Sequence, residues 1–459
     1  MFMRALLGFL LFLIGAAPVQ AQTWMQVTST TSPSPRSESA MAYDAANQKI
    51  VLFGGWSSGP VNDTWEWNGS NWVQQFPLTS PSARFGHAMS YDVVRQRIVL
   101  FGGDAGGPSN DTWEWDGANW VQRFPSTSPN PRIEHAMAYD ATSQKIILFG
   151  GYNQFSDTWE WDGNNWMQLA PPTNPSGRYG HVMTTYDAVG QKILLFGGTA
   201  NSNNLNDTWD WNGNTWIQRS PSTLIGNRFD HAMAYHSGSN KVVLFGGTQG
   251  GASFYGDTLE WDGNNWFQLS PATSPSPRSE HAMAYDAAHG RVILFGGLIG
   301  SGPLLVVVND TWEYGPPPPP PSSYSTFGAG CPGTAGLPTL IGNQVPRIGQ
   351  SFSIILYQLP PNTGGLVFLG FDSNSWGSIS LPFDLAPIGL SGCTLYIALD
   401  LGFIIPDTGL FGASVLGVVI PNDPGLLGIG FFNQAAFMDP AANPGGWVLT
   451  NAGAGVIGP

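Results

Sequence analysis

Phe-Gly-Gly occurs six times in this chain, beginning at Phe53, Phe101, Phe149, Phe196, Phe245 and Phe295, at intervals of 48, 48, 47, 49 and 50 residues. Each copy is followed by an Asp-Thr pair at Asp63, Asp111, Asp157, Asp207, Asp257 and Asp310, and in five of the six the next residue is Trp. Then come Trp-Glu-Trp-Asn-Gly or a near variant, an Asn-Trp or Thr-Trp, and a Gln; each copy is preceded by an Arg-x-x-His phrase such as Arg132 to His135, the first copy having Ser39 where His is expected. A period of this length means that one supersecondary unit is stacked on its copies, each burying a face it cannot bury alone.

The unit reads as four short strands. His-Ala-Met-Ala-Tyr alternates in side-chain size, and Lys145 to Phe149 is a continuous apolar run stopped by Gly-Gly, as a strand buried on both faces should be. Thr158 to Trp161 alternates with period two and places both indoles on one face. Asp162-Gly163 marks a hairpin, and Trp166-Met167-Gln168 is the returning outer strand. A four-stranded antiparallel sheet repeated at this spacing is a propeller blade. The last copy runs into prolines after Tyr314 and lacks its fourth strand, whereas Trp24-Met25-Gln26 stands alone before the first. The N-terminal strand, residues 23–27, is therefore expected to complete the last blade and close the ring.

The phrase order Arg-x-x-His, Phe-Gly-Gly, Asp-Thr-Trp-Glu-Trp, Asn-Trp resembles the kelch repeat. The resemblance covers about 290 residues and implies an all-β fold: a six-bladed β-propeller over residues 22–314. Kelch-like propellers of exported proteins include copper oxidases similar to galactose oxidase and some sugar isomerases. The oxidase cofactor needs a Tyr crosslinked to a Cys, and residues 22–314 contain no Cys. No cofactor or metal is expected.

Composition fits a strand-and-turn protein: 59 Gly and 37 Pro interrupt a chain that is 42% apolar and only 10% charged. The net charge of −14 argues against nucleic-acid or anionic-membrane partners. No interior apolar run reaches the ~18 residues of a membrane helix. Residues 1–21 carry Arg4, an apolar stretch and Val19-Gln20-Ala21, the pattern of a signal peptide cleaved after Ala21. The mature protein is expected outside the cytoplasm, secreted, periplasmic or at the cell surface, as a monomer. Its two cysteines, Cys331 and Cys393, then most simply form a disulfide.

Residues 315–325, with prolines at 316–321, read as a semi-rigid linker. Residues 326–459 alternate short apolar runs with Gly, Pro and Asn, which suggests a β-sandwich or jelly roll. Phe327-Gly-Ala-Gly-Cys-Pro-Gly resembles the start of a C-terminal module found on many exported bacterial repeat proteins.

Arg36, Arg84, Arg132, Arg178, Arg228 and Arg278 place one arginine in each repeat, ahead of the innermost strand. Free, they would ring the channel mouth and bind an anion. The opposing expectation is that each pairs with a carboxylate such as the Glu of Trp-Glu-Trp while each His ties neighbouring backbone together. Residues copied into every repeat serve the scaffold, so function should lie where copies differ. The loops after Phe-Gly-Gly differ and bring Trp56, Tyr152 and Tyr255; the two residues inside Arg-x-x-His also differ and bring Phe85, Glu134, Tyr179 and Phe229. In kelch-like propellers these loops share a face. Aromatic rings and carboxylates there suit a glycan or a protein or peptide segment. Three functions compete: a binding or adhesion module, a cofactor-free sugar enzyme using Glu38, Glu134, Asp230 or Glu280 as acid–base groups, and a purely structural envelope protein.

Overall fold

The computed structural model describes residues 22–459 except 187–191, 251–252, 301–303, 317–321, 377–378, 406–407 and 409–411. The expected cleavage point after Ala21 lies outside these residues. The described chain is all-β with two short 3-10 turns and divides into two compact units, Gln20–Pro317 and a C-terminal one from Pro318. No helix among the described residues is long and apolar enough to cross a membrane.

The first unit contains six four-stranded antiparallel sheets. In the third repeat the strands are Ala136–Asp140, Lys145–Phe149, Thr158–Trp161 and Trp166–Leu169, hydrogen-bonded in chain order. The last sheet departs from chain order: Thr23–Val27 pairs antiparallel with Thr311–Gly315, from Thr23 opposite Gly315 to Val27 opposite Thr311. Those five residues therefore occupy the place of the missing fourth strand.

Apolar alternation explains why the sheets stack. In Lys145–Phe149, Ile146 and Leu148 point into the core shared with the second sheet, while Ile147 and Phe149 point into the core shared with the fourth. All four are fully buried. Six such cores separate successive sheets, and one of them joins Phe295 and Ile293 of the last sheet to Ile50, Leu52 and Trp72 of the first. The paired indoles are packing elements, as Trp67–Trp72 shows with ring centroids 5.4 Å apart.

Each outer-strand Trp also reaches into the preceding sheet. Its Nε1 donates to the Thr of Asp-Thr, Trp120 to Thr64 at 2.9 Å and Trp166 to Thr112 at 2.9 Å. Trp72 donates to Thr311 at 2.9 Å, and Trp24, fully buried, donates to Thr258 at 2.9 Å. The orphan N-terminal Trp thus supplies the contact that every other repeat makes from within itself.

In the C-terminal unit, one sheet orders Ser323–Phe327, Ala452–Val456, Gly430–Met438, Gly365–Gly370 and Leu401–Ile405, with Trp447–Leu449 also on Gly430–Met438. A second joins Thr339–Gly342, Ser351–Tyr357 and Ser414–Val419. Leu340, Phe352, Ile354 and Leu356 of the second sheet share one core with Val367, Phe431 and Phe437 of the first. Cys331 and Cys393 are joined by a disulfide inside this core. Ser323, Tyr324 and Ser325, read as the end of the 315–325 linker, belong instead to the strand Ser323–Phe327. Tyr324 packs on the core and its hydroxyl donates to Asn433 at 2.8 Å, which is what alternating Ser-Tyr-Ser-Thr-Phe is built to do.

Candidate functional site

The six arginines do not form an open anion-binding ring. Each is at most 1% exposed and makes a two-pronged pair with the Asp of Asp-Thr in its own repeat, as Arg36 does with Asp63 at 2.6 and 2.8 Å. Arg84–Asp111, Arg132–Asp157, Arg178–Asp207, Arg228–Asp257 and Arg278–Asp310 repeat the geometry at 2.6 to 2.9 Å. The expected partner, the Glu of Trp-Glu-Trp, pairs elsewhere, Glu66 with Lys49 at 2.6 Å and Glu114 with Arg123 at 2.6 Å. The reason is position along the strand: Asp63 stands at the Gly-Gly end, where Arg36 also donates to the Gly54 carbonyl at 3.1 Å. At Asp63, Asp111, Asp157, Asp207 and Asp310 burial raises proton affinity, but the arginine's hydrogen bonds and charge outweigh it, and Asp111 is held down at about 2.

The backbone around each arginine stitches repeats together. Gly55 N–H donates to the Arg84 carbonyl at 2.8 Å, Gly103 to Arg132 at 3.0 Å, and in the last repeat Gly297 returns to Arg36 at 2.9 Å. The first Gly of each pair is required for space as well as for its positive φ. A Cβ at Gly54 would lie 2.7 Å from the Arg84 carbonyl oxygen and 3.0 Å from the His87 ring.

At the axis, the second residue inside each Arg-x-x-His phrase forms a closed ring of backbone hydrogen bonds. Glu38 N–H donates to Glu280, Gly86 to Glu38, Glu134 to Gly86, Gly180 to Glu134, Asp230 to Gly180 and Glu280 to Asp230, all at 2.8 to 3.1 Å. All six residues are left-handed, with φ between 50° and 63°. Glycine adopts this conformation freely, whereas a side chain costs about 1–2 kcal/mol. Gly86 and Gly180 show that the ring needs no side chain. They also leave room for their neighbours: the Asp230 carboxylate lies 2.7 Å from where a Cβ of Gly180 would be, and that of Glu38 lies 3.3 Å from the same point at Gly86.

The four carboxylates and the rings of His87, His135, His181, His231 and His281 line one axial cavity of about 150 Å³. Burial, then repulsion from Glu280, Glu134 and Asp104, pushes the Glu38 carboxyl up to about 8. Burial and Glu280 push Glu134 up to about 7. Asp230 is raised well above its usual range by burial and by Glu134, Glu280 and Glu38, and Glu280 is raised by burial against a hydrogen bond from Ser37. The imidazoles do not tie neighbouring backbone together. Each packs edge-on against a Phe of Phe-Gly-Gly, His87 on Phe53 with centroids 5.5 Å apart, and neither ring nitrogen of any of the five has a hydrogen-bond partner among the described residues. The carbonyls of Phe53, Phe101, Phe149 and Phe245 act on His87, His135, His181 and His281 from outside hydrogen-bond geometry. Burial, then the charge of Arg84, lowers His87 to about 3, so the ring is neutral.

Around this cavity the variable loops do meet, as expected. Trp56 bridges to Ser37 in its own repeat and sets its ring edge-on to Phe85 of the next, at 5.1 Å. Tyr152 sits likewise on Tyr179 at 5.2 Å. Trp56 is 42% and Tyr152 50% exposed. Phe229 pairs through its backbone with Thr248 and is half-buried. Tyr255 is a cover rather than an open platform, because the Arg228 guanidinium lies 3.9 Å from its ring centre. Another cavity, about 330 Å³ and lined by Gln218, Arg219 and Asn265, has Arg219 as its one charged group, 3.4 Å from Asp210; the titratable groups converge at the axis instead.

Four-stranded sheets, each with its own Arg–Asp pair and stacked through Trp–Thr contacts, agree with an independent match: residues 119–297 fit the model of the KLHDC2/KLHL20/DRC7 Kelch-repeats domain. This chain carries a kelch-repeat domain. Kelch repeats commonly mediate protein binding. No curated protein matches the chain. Of the sequence-derived candidates in the kelch domain, Glu134 lines the axial cavity, while Trp56 and Tyr152 are half-exposed against rings of the next repeat. The arginines belong to its frame. The axial histidines and the carboxylate–glycine ring were not recognised as one site from sequence; the interchange of Gly with Asp or Glu at one phrase position was the signal of a left-handed residue.

Proposed function

We propose that the chain is an exported binding protein: a six-bladed kelch propeller closed by its N-terminal strand, joined through the proline segment to a β-sandwich, with the loop face of the propeller docking a segment of another protein. The observation that carries this reading is the pair of half-exposed rings, Trp56 and Tyr152, each fixed against an aromatic ring of the next repeat beside the axial cavity. Rigid aromatic anchors lose little entropy on binding and dominate contact energy where a pocket lies next to them. The disulfide agrees with an oxidising compartment.

Selection of a random peptide library on the immobilised mature chain tests the reading. Segments are expected to be enriched on the native protein and to lose at least about tenfold in affinity on a Trp56→Ala/Tyr152→Ala variant. Equal enrichment on both proteins, with the variant's near-ultraviolet circular dichroism otherwise intact, overturns it.

A further inference from the structure

We infer that the axial cavity takes a single basic side chain, a guanidinium or primary ammonium carried by the docked segment; this rests on the loop-face reading above. Acceptors outnumber donors in the cavity, eight carboxylate oxygens and five imidazole nitrogens against five imidazole N–H groups. Four carboxylates, those of Glu38, Glu134, Asp230 and Glu280, converge on it, and one Glu38 oxygen is buried without a hydrogen-bond partner among the described residues. Below them lie five imidazoles, each 3–6% exposed, lining the same cavity with both ring nitrogens unpartnered. His231 is the most deeply buried of them at 3%. A neutral imidazole offers one acceptor nitrogen and one donor. Buried polar groups without partners are rare and carry a desolvation cost, so a site holding this many is completed by something that brings donors.

The occupant's charge follows from what surrounds the cavity. The nearest guanidiniums are committed to the aspartates of their own repeats, so among the described residues no cation balances the axial carboxylates, and an anion would be repelled. A bare metal ion fits poorly, because among the described residues no three His, Asp or Glu groups converge closely enough to hold one. A guanidinium brings five N–H donors in a planar fork, and an ammonium brings three, which spreads contacts over carboxylates too far apart for one ion. The cavity volume of about 150 Å³ accommodates one side-chain head group rather than a folded element. Gly86 and Gly180 show that the scaffold does not need a carboxylate at this position, so the four present serve the cavity.

The test titrates the mature protein with N-acetyl-arginine amide, N-acetyl-lysine amide and N-acetyl-norleucine amide, following the imidazole Cε1–H signals by NMR. Saturable shifts are expected with the two basic amides and not with norleucine, and Glu134→Gln/Asp230→Asn should weaken binding at least about tenfold. Asp230→Asn and Glu134→Gln keep the shape, and a melting temperature at or above that of the native protein shows the fold is retained. Equal shifts with norleucine, unchanged affinity in the double variant, or a response only to calcium or zinc ions overturns the inference. Library-selected segments separate its failure from that of the docking face. Segments lost on Trp56→Ala/Tyr152→Ala but indifferent to Glu134→Gln/Asp230→Asn leave the face standing and reject the basic side chain. Arginine-amide binding without any selected segment does the reverse.

Discussion

Within and between the sheets of the kelch domain the polar groups are matched by partners: Arg to Asp inside each repeat, outer Trp to Thr and Gly N–H to an Arg carbonyl across to the neighbour, repeat after repeat. A few residues away, at the axis, the same backbone carries carboxylates that repel one another and imidazoles with no hydrogen-bond partner among the described residues. The seam arginines and the axial imidazoles are buried, the axial carboxylates half-buried, and both regions are copied around the ring. They differ in whether burial is compensated. Where every copy is alike and satisfied, the residues hold the fold. Where copies vary between Gly, Glu and Asp and leave groups unsatisfied, stability has been given up, and function is the natural place to look for the return.

The comparison breaks first if the seams are not what hold the ring. Removing residues 22–28 deletes a fully buried Trp, its bond to Thr258 and a whole edge strand. Losing one such Trp alone is worth about 3–5 kcal/mol, so the melting temperature should fall by about 10 °C or more. A scanning-calorimetry trace unchanged by the deletion would show that the ring closes without its N-terminal strand. Next in size is Arg132→Ala, which strands the Asp157 carboxylate at a site where the arginine is fully buried. Breaking a buried pair from one side costs about 3–5 kcal/mol, readable as a shifted urea midpoint with the slope preserved. A loss well under about 1 kcal/mol would place this pair with exposed ones and erase the contrast with the axis.

The sheets were legible because the period writes the same strands six times, and the place of Trp24 was legible because its phrase had a gap to fill at the other end. The partner of the arginines was not. Asp63 and Glu66 are three residues apart in one phrase, and only the antiparallel pairing shows that Asp63 meets the Gly-Gly end while Glu66 stands opposite Val51, in reach of Lys49. The strand at Ser323–Phe327 was hidden by the prolines before it, which set the composition of the whole window. The axial ring was hidden for a different reason. Its members lie far apart in the chain, and what unites them is a backbone conformation and a circular hydrogen-bond path that no local pattern spells out.

The smallest effect is the one that sharpens the contrast most, because the axial carboxyls respond to pH with the opposite sign to the seam aspartates. The axial carboxyls are raised on folding, Glu38 to about 8 and Glu134 to about 7. Groups raised in the folded state bind more protons than when unfolded, so their contribution is intact below about pH 4.5 and is lost as pH rises through 7 to 8. The imidazoles are lowered, His87, His181 and His281 to about 3, so their contribution is intact above about 6.5 and is lost as pH falls below it. Asp63, Asp111, Asp157, Asp207 and Asp310 are lowered too, and their stabilisation is lost only in acid, below the usual aspartate range. Melting temperature should therefore decline on the alkaline side between pH 6.5 and 8, with the axial carboxyls contributing most and Asp210 and Glu313, also raised by burial, adding less. Replacing Glu38, Glu134 and Glu280 with Gln and Asp230 with Asn should flatten that limb, raise the melting temperature at pH 8 and leave the acid limb in place. A variant that keeps the alkaline decline would mean the carboxylates are already compensated in the free protein, and with that the distinction between a satisfied seam and an unsatisfied axis would fall.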